Sequence, residues 1–490
     1  MFRWCVIWNF IGRLMNNNSF LSKFFLYVPV KLIPAFMGIF FVFFLYKSFP
    51  DGQYVSYSVS VTCALIAAQL FAGWVGNSFV YHFSGRQDKK IFFSSSMGVI
   101  FFIAPVAGLL AASVCSFFVK DDFVFICVWV LCVTQIFFFF LSSVCQADFL
   151  VWQQLKAAVL QAGVQAVLIF TLFERLGVDF RYALIALSVG YVSAGFILLY
   201  SVVRRLGFSN PFLFPEKFKS IVNSLYHYGA ALSPWIFGML VMSAADRFAI
   251  GYYNIEHGDT YLSLKDLFAG GAGLLSMPLL MVVHPLVIAR FREKRFAANI
   301  IESSLGFLII SFSLLWCALS FVGFDFFERL TGKSIDVSLW VVFFSFLSVF
   351  LNSSSVYVQK RLEVHRRMKQ LAVLSVCSAV TSVLFSYVGG GIWGLYGVSI
   401  GLMLAQALYF FLVAFSMLKK IKLYRCVVTP MIISLLAALI GAVYYFILDK
   451  WLGLSDWRME SSLWLAGFSA VSLVALWKGV RWAEFTRVAV

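Results

Sequence analysis

Apolar stretches long enough to cross a lipid bilayer recur along almost the whole of this 490-residue chain. A spanning helix needs about 20 apolar residues, because the hydrocarbon core is about 30 Å thick and a helix rises about 1.5 Å per residue. Hydrophobic residues account for 62% of the sequence and charged residues for 12%, which leaves too little polar surface to cover a soluble globular fold. The sequence therefore predicts an all-α polytopic membrane protein with no sizeable soluble domain.

The hydropathy pattern predicts about 14 transmembrane helices joined by short loops. The even number places both termini on one side of the membrane. A linker that contains two prolines follows the sixth helix and is the best candidate for a boundary between two six-helix lobes. The predicted segments are an interfacial N-terminus at 1–23, an N-lobe at 24–203, a cytoplasmic linker at 204–220, a C-lobe at 221–417, two further helices within 427–478 and a cytoplasmic tail at 479–490. The predicted helices lie at 24–46, 54–79, 92–118, 123–145, 155–173, 182–203, 221–245, 262–288, 300–322, 337–358, 371–388, 392–417, 427–448 and 462–478.

The basic residues are distributed asymmetrically over the predicted loops. Of the 38 lysines and arginines, 27 fall on the side of the termini, ten fall on the other side and only Lys31 falls within a span. Basic residues accumulate in cytoplasmic loops, so the pattern predicts that both termini are cytoplasmic. Topology thus explains the formal charge of +16, and nucleic acid is not an expected partner.

The sequence predicts neither a cofactor nor a metal site. The nine cysteines lie almost entirely in apolar segments, with no Cys-x-x-Cys pair and no histidine at zinc spacing. The phosphate-binding motif GxxxxGK[ST] is absent, so direct use of ATP is not expected. We expect the energy to come from the membrane potential or from a gradient of H⁺ or Na⁺.

Prolines and charges coincide in the stretch from Leu225 to Arg290, where two long apolar segments flank a polar hairpin predicted at 246–261. Proline interrupts the hydrogen-bond ladder of a helix, and a charge beside hydrocarbon is unfavourable. The combination favours a polar cavity built from irregular helices.

Four charged residues beside this hairpin allow two interpretations. In the first, Asp246 pairs with Lys265 and Arg247 pairs with Asp266, which would fix the hairpin. In the second, Arg247 and Lys265 bind an anionic substrate while Asp246 and Asp266 respond to a coupling cation.

The starts of the two predicted lobes share a Pro-x-x-x-Gly motif, at residues 34–38 and 234–238. Each of these helices leads into a hairpin in which a glycine lies shortly before a tyrosine, at residues 51–54 and 258–261. Two matches in the same order, about 200 residues apart, indicate an internal duplication. The expected bending and gating residues are Pro34, Gly38, Pro234, Gly238, Pro278 and Pro285.

Ionisable residues inside the spans are few. Lys31 lies between Pro29 and Pro34, roughly 12 Å from the predicted cytoplasmic end of its helix. It either contacts an anionic ligand in a cavity or extends its ammonium group to the membrane interface. His227 and His284 could carry coupling protons near neutral pH, although a structural hydrogen bond is the commoner role.

One run of motifs resembles a known family. A proline-containing helix is followed by Ala245-Asp246-Arg247, then by Glu256-x-Gly258-x-x-Tyr261, then by a glycine-rich helix with Pro278 and a terminal His284-Pro285. This order is similar to helices 7 and 8 of the polysaccharide transporter family, the Wzx-type O-antigen and exopolysaccharide flippases. That family belongs to the MOP superfamily, which also contains the MATE drug exporters and the lipid II flippase.

The resemblance implies two six-helix lobes around a central cavity, with two helices appended. It also implies a substrate of oligosaccharide linked to undecaprenyl diphosphate, which is moved to the periplasmic face of the bacterial inner membrane for lipopolysaccharide or exopolysaccharide synthesis. Membrane lipid, a coupling H⁺ or Na⁺, and a polysaccharide polymerase with its chain-length machinery would be the partners. The family and its relatives often carry arginine in helix 1, where this chain has Lys31.

Rival functions make different demands on the sequence. A MATE-like exporter of cationic drugs needs acidic cavity residues, and no carboxylate is buried in the predicted first lobe. An exporter of the lipid II type shares the superfamily's architecture. An integral-membrane glycan polymerase or ligase needs a sizeable outer loop for its catalytic residues, and the predicted outer loops are short. We therefore expect a transporter rather than an enzyme.

Overall fold

The computed structural model describes residues 20–83, 86–208, 215–292, 298–319, 323–365 and 367–415, and these ranges fold mainly into α-helices. A helix coincides with each of the first twelve predicted spans. The predicted helices at 427–448 and 462–478, the tail at 479–490 and residues 1–19 lie outside the described residues. The long helices are α1 (Phe20–Ser48), α2 (Gln53–Phe83), α3 (Lys89–Ser116), α4 (Asp122–Ala147), α5 (Val151–Leu176), α6 (Phe180–Leu206), α7 (Pro215–Tyr253), α8 (Gly258–Arg292), α9 (Ala298–Ala318), α10 (Leu339–Val364), α11 (Met368–Trp393) and α12 (Leu395–Phe415), and a short helix lies at Phe324–Thr331.

Nine helices in the described ranges are long and apolar enough to cross a membrane, namely α2 to α7 and α10 to α12. The apolar parts of α1 and α9 are shorter. Phe101, Phe102 and Phe196 are 66%, 63% and 67% exposed, which suits contact with lipid rather than with water. The chain is therefore a multi-pass membrane protein, and the total of fourteen helices remains a prediction.

Contacts divide the chain into two compact units. The first contains the described residues up to Ser263 together with Met368–Ala405, and the second contains Leu264–Arg367 and the described residues from Gln406 onwards. The first unit thus includes α1 to α7, the first turns of α8, α11 and the first half of α12. The predicted lobes at 24–203 and 221–417 remain a proposal.

Helices α7 and α11 pack closely within the first unit. Ser375, Ser378, Ser382 and Ser386 follow one face of α11 at helical spacing, and all four are buried. The Ser382 hydroxyl donates to the Met242 carbonyl oxygen over 2.9 Å. Small side chains let the two backbones approach, as is usual where membrane helices pack.

Helices α4 and α6 begin at the same end of the first unit as α2, and each has an aspartate cap. We call this end of the first unit the hairpin end. The Asp121 carboxylate accepts hydrogen bonds from the first backbone N–H groups of α4, and Asp179 does the same for α6. Arg181 contacts both carboxylates. Partial burial alone would raise the pKa of Asp179, but hydrogen bonds from Arg181 and its positive charge lower that pKa below its ordinary value. The opposite end, where the chain runs from α6 into α7, is called the linker end.

The second unit has an aromatic core of its own. Phe268, Phe312 and Trp316 surround Phe346, with ring centroids 5.1 to 5.7 Å apart. The Tyr357 hydroxyl donates to the Ser276 carbonyl oxygen over 2.6 Å. Aromatic pairs in such geometries add to the stabilisation from burial alone.

Two of the proline-bearing helices are continuous in the structure, and bending at their prolines stays a prediction. Helix α7 continues through Pro234 and α1 continues through Pro34. A π-helical turn occupies Gln69–Gly73, near the middle of α2. Nothing in the sequence indicated this turn, because its residues include neither proline nor a charged side chain.

Helices α11 and α12 form the tightest glycine contact in the described part of the chain. A Cβ added to Gly397 would lie 2.0 Å from the Gly389 carbonyl oxygen, so neither backbone could accommodate it. We predict that Gly397→Ala lowers the stability of the detergent-solubilised protein by about 1 to 3 kcal/mol. Gly195→Ala is the matched control, because a Cβ there meets nothing within 4 Å. Thermal unfolding should show a large loss for Gly397→Ala alone, and equal effects of the two substitutions would contradict the packing described.

Candidate functional site

The turn between α7 and α8 is shorter than the sequence predicted. Helix α7 ends at Tyr253 and α8 begins at Gly258, so only residues 254–257 lie between them rather than a hairpin over 246–261. Asp246 and Arg247 accordingly lie within α7 and not in a loop. Asn254 and His257 have φ angles of 47° and 57°, the left-handed conformation that allows so tight a turn.

Arg247 joins α7 to α2. Its guanidinium donates to the Ser58 hydroxyl over 2.8 Å and to the Thr62 hydroxyl over 3.2 Å. Ser58 and Thr62 are four residues apart, so both face α7 from the same side of α2. Both hydroxyls are buried. A buried hydroxyl without a hydrogen-bond partner is unfavourable, and the charged guanidinium provides both hydroxyls with a strong donor.

Asp259 joins the start of α8 to the start of α2. Helix α2 begins after Gly52, whose φ of 82° is left-handed and which has no side chain to cap the helix. The Asp259 carboxylate accepts a hydrogen bond from the Gly52 N–H and another, over 2.7 Å, from the Val55 N–H. An acid 207 residues away in the sequence therefore supplies the cap.

Neighbouring polar groups add to this contact. The Tyr46 hydroxyl lies 2.9 Å from the Thr260 hydroxyl, and the Tyr261 hydroxyl donates to Asp246 over 3.1 Å. Asp246 is fully buried. Burial of a carboxylate is unfavourable without such partners.

The two hairpins related by the proposed duplication meet here. Tyr54 and Tyr261 each lie in the first turns of a helix, α2 and α8, and each is 1% exposed. The hairpin match in the sequence therefore points to the place where the two segments contact each other. What the sequence did not reveal is that one hairpin caps the other.

Several predicted site residues are not assembled here. Lys265 is buried and Asp266 lies next to it in α8, but both begin the second unit, so the Asp246–Lys265 and Arg247–Asp266 pairs remain predictions. His227 is exposed near the start of α7, at the linker end. Gly238 packs against Ser375, whereas nothing lies within 4 Å of a Cβ at Gly38. The side chains of Lys31, Pro278, His284 and Pro285 lie outside the described residues.

Aromatic side chains join α2 and α7 at the linker end. The rings of Tyr81 and Tyr228 stack with centroids 4.2 Å apart. The Trp74 side chain covers Gly229, where a Cβ would lie 2.3 Å from the indole. The Arg86 guanidinium reaches the Ser224 hydroxyl at 3.5 Å. This contact was not predicted from the sequence. The Tyr81-His82 pair near the end of α2 and the run Tyr226-His227-Tyr228 in the first half of α7 could have suggested it.

Helices α2 and α7 thus contact each other at both ends in this conformation. Hydrogen bonds and a helix cap predominate at the hairpin end, and aromatic rings predominate at the linker end. Among the residues that the structure describes, no group of three or more metal-ligating side chains is present.

Several solved structures that share this fold are described as transporters or flippases. The lipid II flippase MurJ, in an inward closed conformation, matches with a TM-score of 0.67 and 13% identity over 91% of this chain and 96% of MurJ. The MATE multidrug transporter DinF-BH matches with a TM-score of 0.54 and 16% identity, over 81% of this chain and 94% of that one. A mutant of the MATE transporter VcmN from Vibrio cholerae matches with a TM-score of 0.52 and 12% identity, over 84% of this chain and 97% of that one. No protein-family model and no curated protein matches the sequence. The fold is therefore the one shared by MurJ and the MATE transporters.

The hydrogen bond between Arg247 and Ser58 should be measurable as a coupling energy. We predict that the double-mutant cycle of Arg247→Ala and Ser58→Ala gives about 1 to 2 kcal/mol, because the hydroxyl receives a charged donor in a buried setting. Reversible unfolding of the purified protein in mixed detergent micelles would measure it. Ser56→Ala is the control, because that hydroxyl donates to the Gly52 carbonyl oxygen of its own helix. A coupling no larger than that of the control would contradict the contact.

Proposed function

We propose that this protein is a flippase that moves undecaprenyl-diphosphate-linked oligosaccharide repeat units from the cytoplasmic to the periplasmic face of the bacterial inner membrane. The repeat units would be those of O-antigen or of exopolysaccharide. The observation that carries the proposal is the fold shared with a lipid II flippase over 91% of this chain. The motif resemblance of α7 and α8 to the polysaccharide transporters favours a lipid-linked glycan within that fold.

The orientation follows from the charges. The asymmetry of lysine and arginine supports an orientation with the linker end in the cytoplasm and the hairpin end in the periplasm. Substrate would be loaded from the linker end and released at the hairpin end by alternating access. The polyprenyl chain, which is apolar, would remain in lipid while the glycan crosses a hydrated interior.

Basic residues would bind the diphosphate. Lys31 is the candidate for the cavity, since it lies within the first predicted span, at 24–46. Arg247 and Lys265 are candidates nearer the periplasmic side, and in this conformation the Arg247 guanidinium is held by Ser58 and Thr62. A diphosphate is a strong acceptor for such groups, because hydrogen bonds between charged partners are shorter and stronger than neutral ones.

The coupling cation would be sensed by carboxylates or histidines. Asp246 is the best placed of these, because it is fully buried and has a Tyr261 hydrogen bond to organise it. Asp266, His227 and His284 complete the set of candidates. H⁺ and Na⁺ are both compatible with a single buried carboxylate.

Deletion of the gene tests the function directly. We predict that undecaprenyl-diphosphate-linked repeat units accumulate on the cytoplasmic face, which enzymatic labelling of the glycan in right-side-out and inverted membrane vesicles would measure. The second candidate is a MATE-like exporter of cations, which the buried Asp246 favours. In that case deletion would leave the glycan pool unchanged and sensitise the cells to cationic dyes. A repeat-unit pool that is periplasmic but unpolymerised would instead indicate a polymerase.

Lys31 tests the binding of the diphosphate. We predict that Lys31→Ala reduces complementation of the deletion strain at least tenfold, while Lys31→Arg retains most activity, because only the second substitution keeps the positive charge. Surface glycan per cell would be measured at matched protein levels. Lys23→Ala, which changes a lysine outside the predicted span, is the control. Equal activity of the alanine and arginine variants at position 31 would remove Lys31 from the mechanism.

A further inference from the structure

Helix α2 begins without a cap of its own. A helix leaves its first backbone N–H groups without partners inside the helix, and the residue before the helix usually supplies an acceptor from its side chain. In α2 that residue is Gly52, which makes no side-chain hydrogen bond. The helices α4 and α6, which begin at the same end, have Asp121 and Asp179 in this position.

Asp259 performs both functions of a capping box. In a capping box one side chain accepts from the third N–H of the helix, and a second side chain accepts from the N–H of the capping residue. Val55 is the third residue of α2 and Gly52 is its capping residue, and the carboxylate of Asp259 accepts from both N–H groups. One acid from α8 therefore replaces the two side chains of a capping box.

The same carboxylate lies in the first turn of its own helix, α8. Each helix N-terminus carries a partial positive charge equivalent to about half an elementary charge, so two such ends repel each other unless an anion lies between them. Asp259 is placed between the two ends. Gly258 permits the close approach, because a Cβ there would lie 3.2 Å from the side chain of Val55.

We infer that Asp259, with Gly52 and Val55, forms a detachable latch at the hairpin end. When the hairpin end opens, Asp259 remains favourable at the start of α8, while the N–H groups of α2 pass to water at the membrane surface. Both partners keep a polar environment in the open state, so the contact can be broken and remade. The inference rests on the proposed function, since a latch matters only in a transporter that opens at this end.

The test measures opening without substrate. Val59 is fully buried in α2, and its side chain lies 3.1 Å from a Cβ built on Gly251 of α7, so Val59→Cys reports separation of the two helices. The full-length purified protein would be labelled with a water-soluble maleimide, and the parent with its native cysteines would provide the background. We expect Asp259→Ala to raise the labelling rate about fivefold, which corresponds to about 1 kcal/mol for a lost cap. Asp259→Asn should give a smaller rise, because it keeps one oxygen but loses the charge.

The control is Asp121→Ala, which removes the cap of α4 at the same end but does not join α2 to α8. It should lower the melting temperature and leave the labelling of Cys introduced at position 59 unchanged. The latch is refuted by an unchanged rate in Asp259→Ala, or by an equal rise in Asp121→Ala. If Asp259→Ala does not accumulate, Asp259→Asn takes its place, and an unchanged rate there refutes the latch equally. Labelling does not depend on the glycan, so a failed latch and a failed flippase assignment give separate results.

Discussion

A helix leaves its first backbone N–H groups without partners inside the helix, and in α2 the acceptor for two of these N–H groups comes from another helix. The left-handed Gly52 ends the preceding loop and has no side chain that could cap the helix. The Asp259 carboxylate meets this need and thereby fixes where α8 begins relative to α2. Two further contacts connect the same pair of hairpins: Tyr46 in α1 contacts Thr260 in α8, and Arg247 in α7 contacts Ser58 in α2.

The two ends of the α2 and α7 pair use different chemistry. Hydrogen bonds at the hairpin end are directional, and water can replace each of them when the helices separate. The stacked rings of Tyr81 and Tyr228 at the linker end, and the indole of Trp74 over Gly229, depend instead on apolar surface removed from its surroundings. When the hydrogen bonds at the hairpin end break, their groups exchange protein partners for water. When the aromatic contacts at the linker end break, they expose apolar surface. The two ends can therefore respond differently to a charged substrate.

Periodicity and hydropathy were sufficient to locate twelve helices, because burial of about 20 apolar residues in lipid is a local property of the sequence. The same reasoning failed at the α7–α8 turn. Asp246 and Arg247 were assigned to a loop because they are charged, yet they extend α7 and face a neighbouring helix. Hydropathy cannot distinguish a loop from a helix whose polar residues are buried against another helix. The partner of Asp259 could not be predicted from the sequence either. The contact spans 207 residues, and the carboxylate accepts from a backbone N–H group, which leaves no signal in the side-chain pattern.

The π-helical turn of α2 explains how one helix can contact α7 at both ends. Successive residues of an α-helix are about 100° apart, so Thr62 and Trp74, twelve residues apart, would point about 120° away from each other in a regular helix. A π turn accommodates one extra residue, which reduces that angle to about 20°. The turn at Gln69–Gly73 lies between the two residues and has this effect. A regular α-helix at this position could make only one of the two contacts, either Thr62 with Arg247 or Trp74 with Gly229. The π turn lets α2 make both contacts with α7.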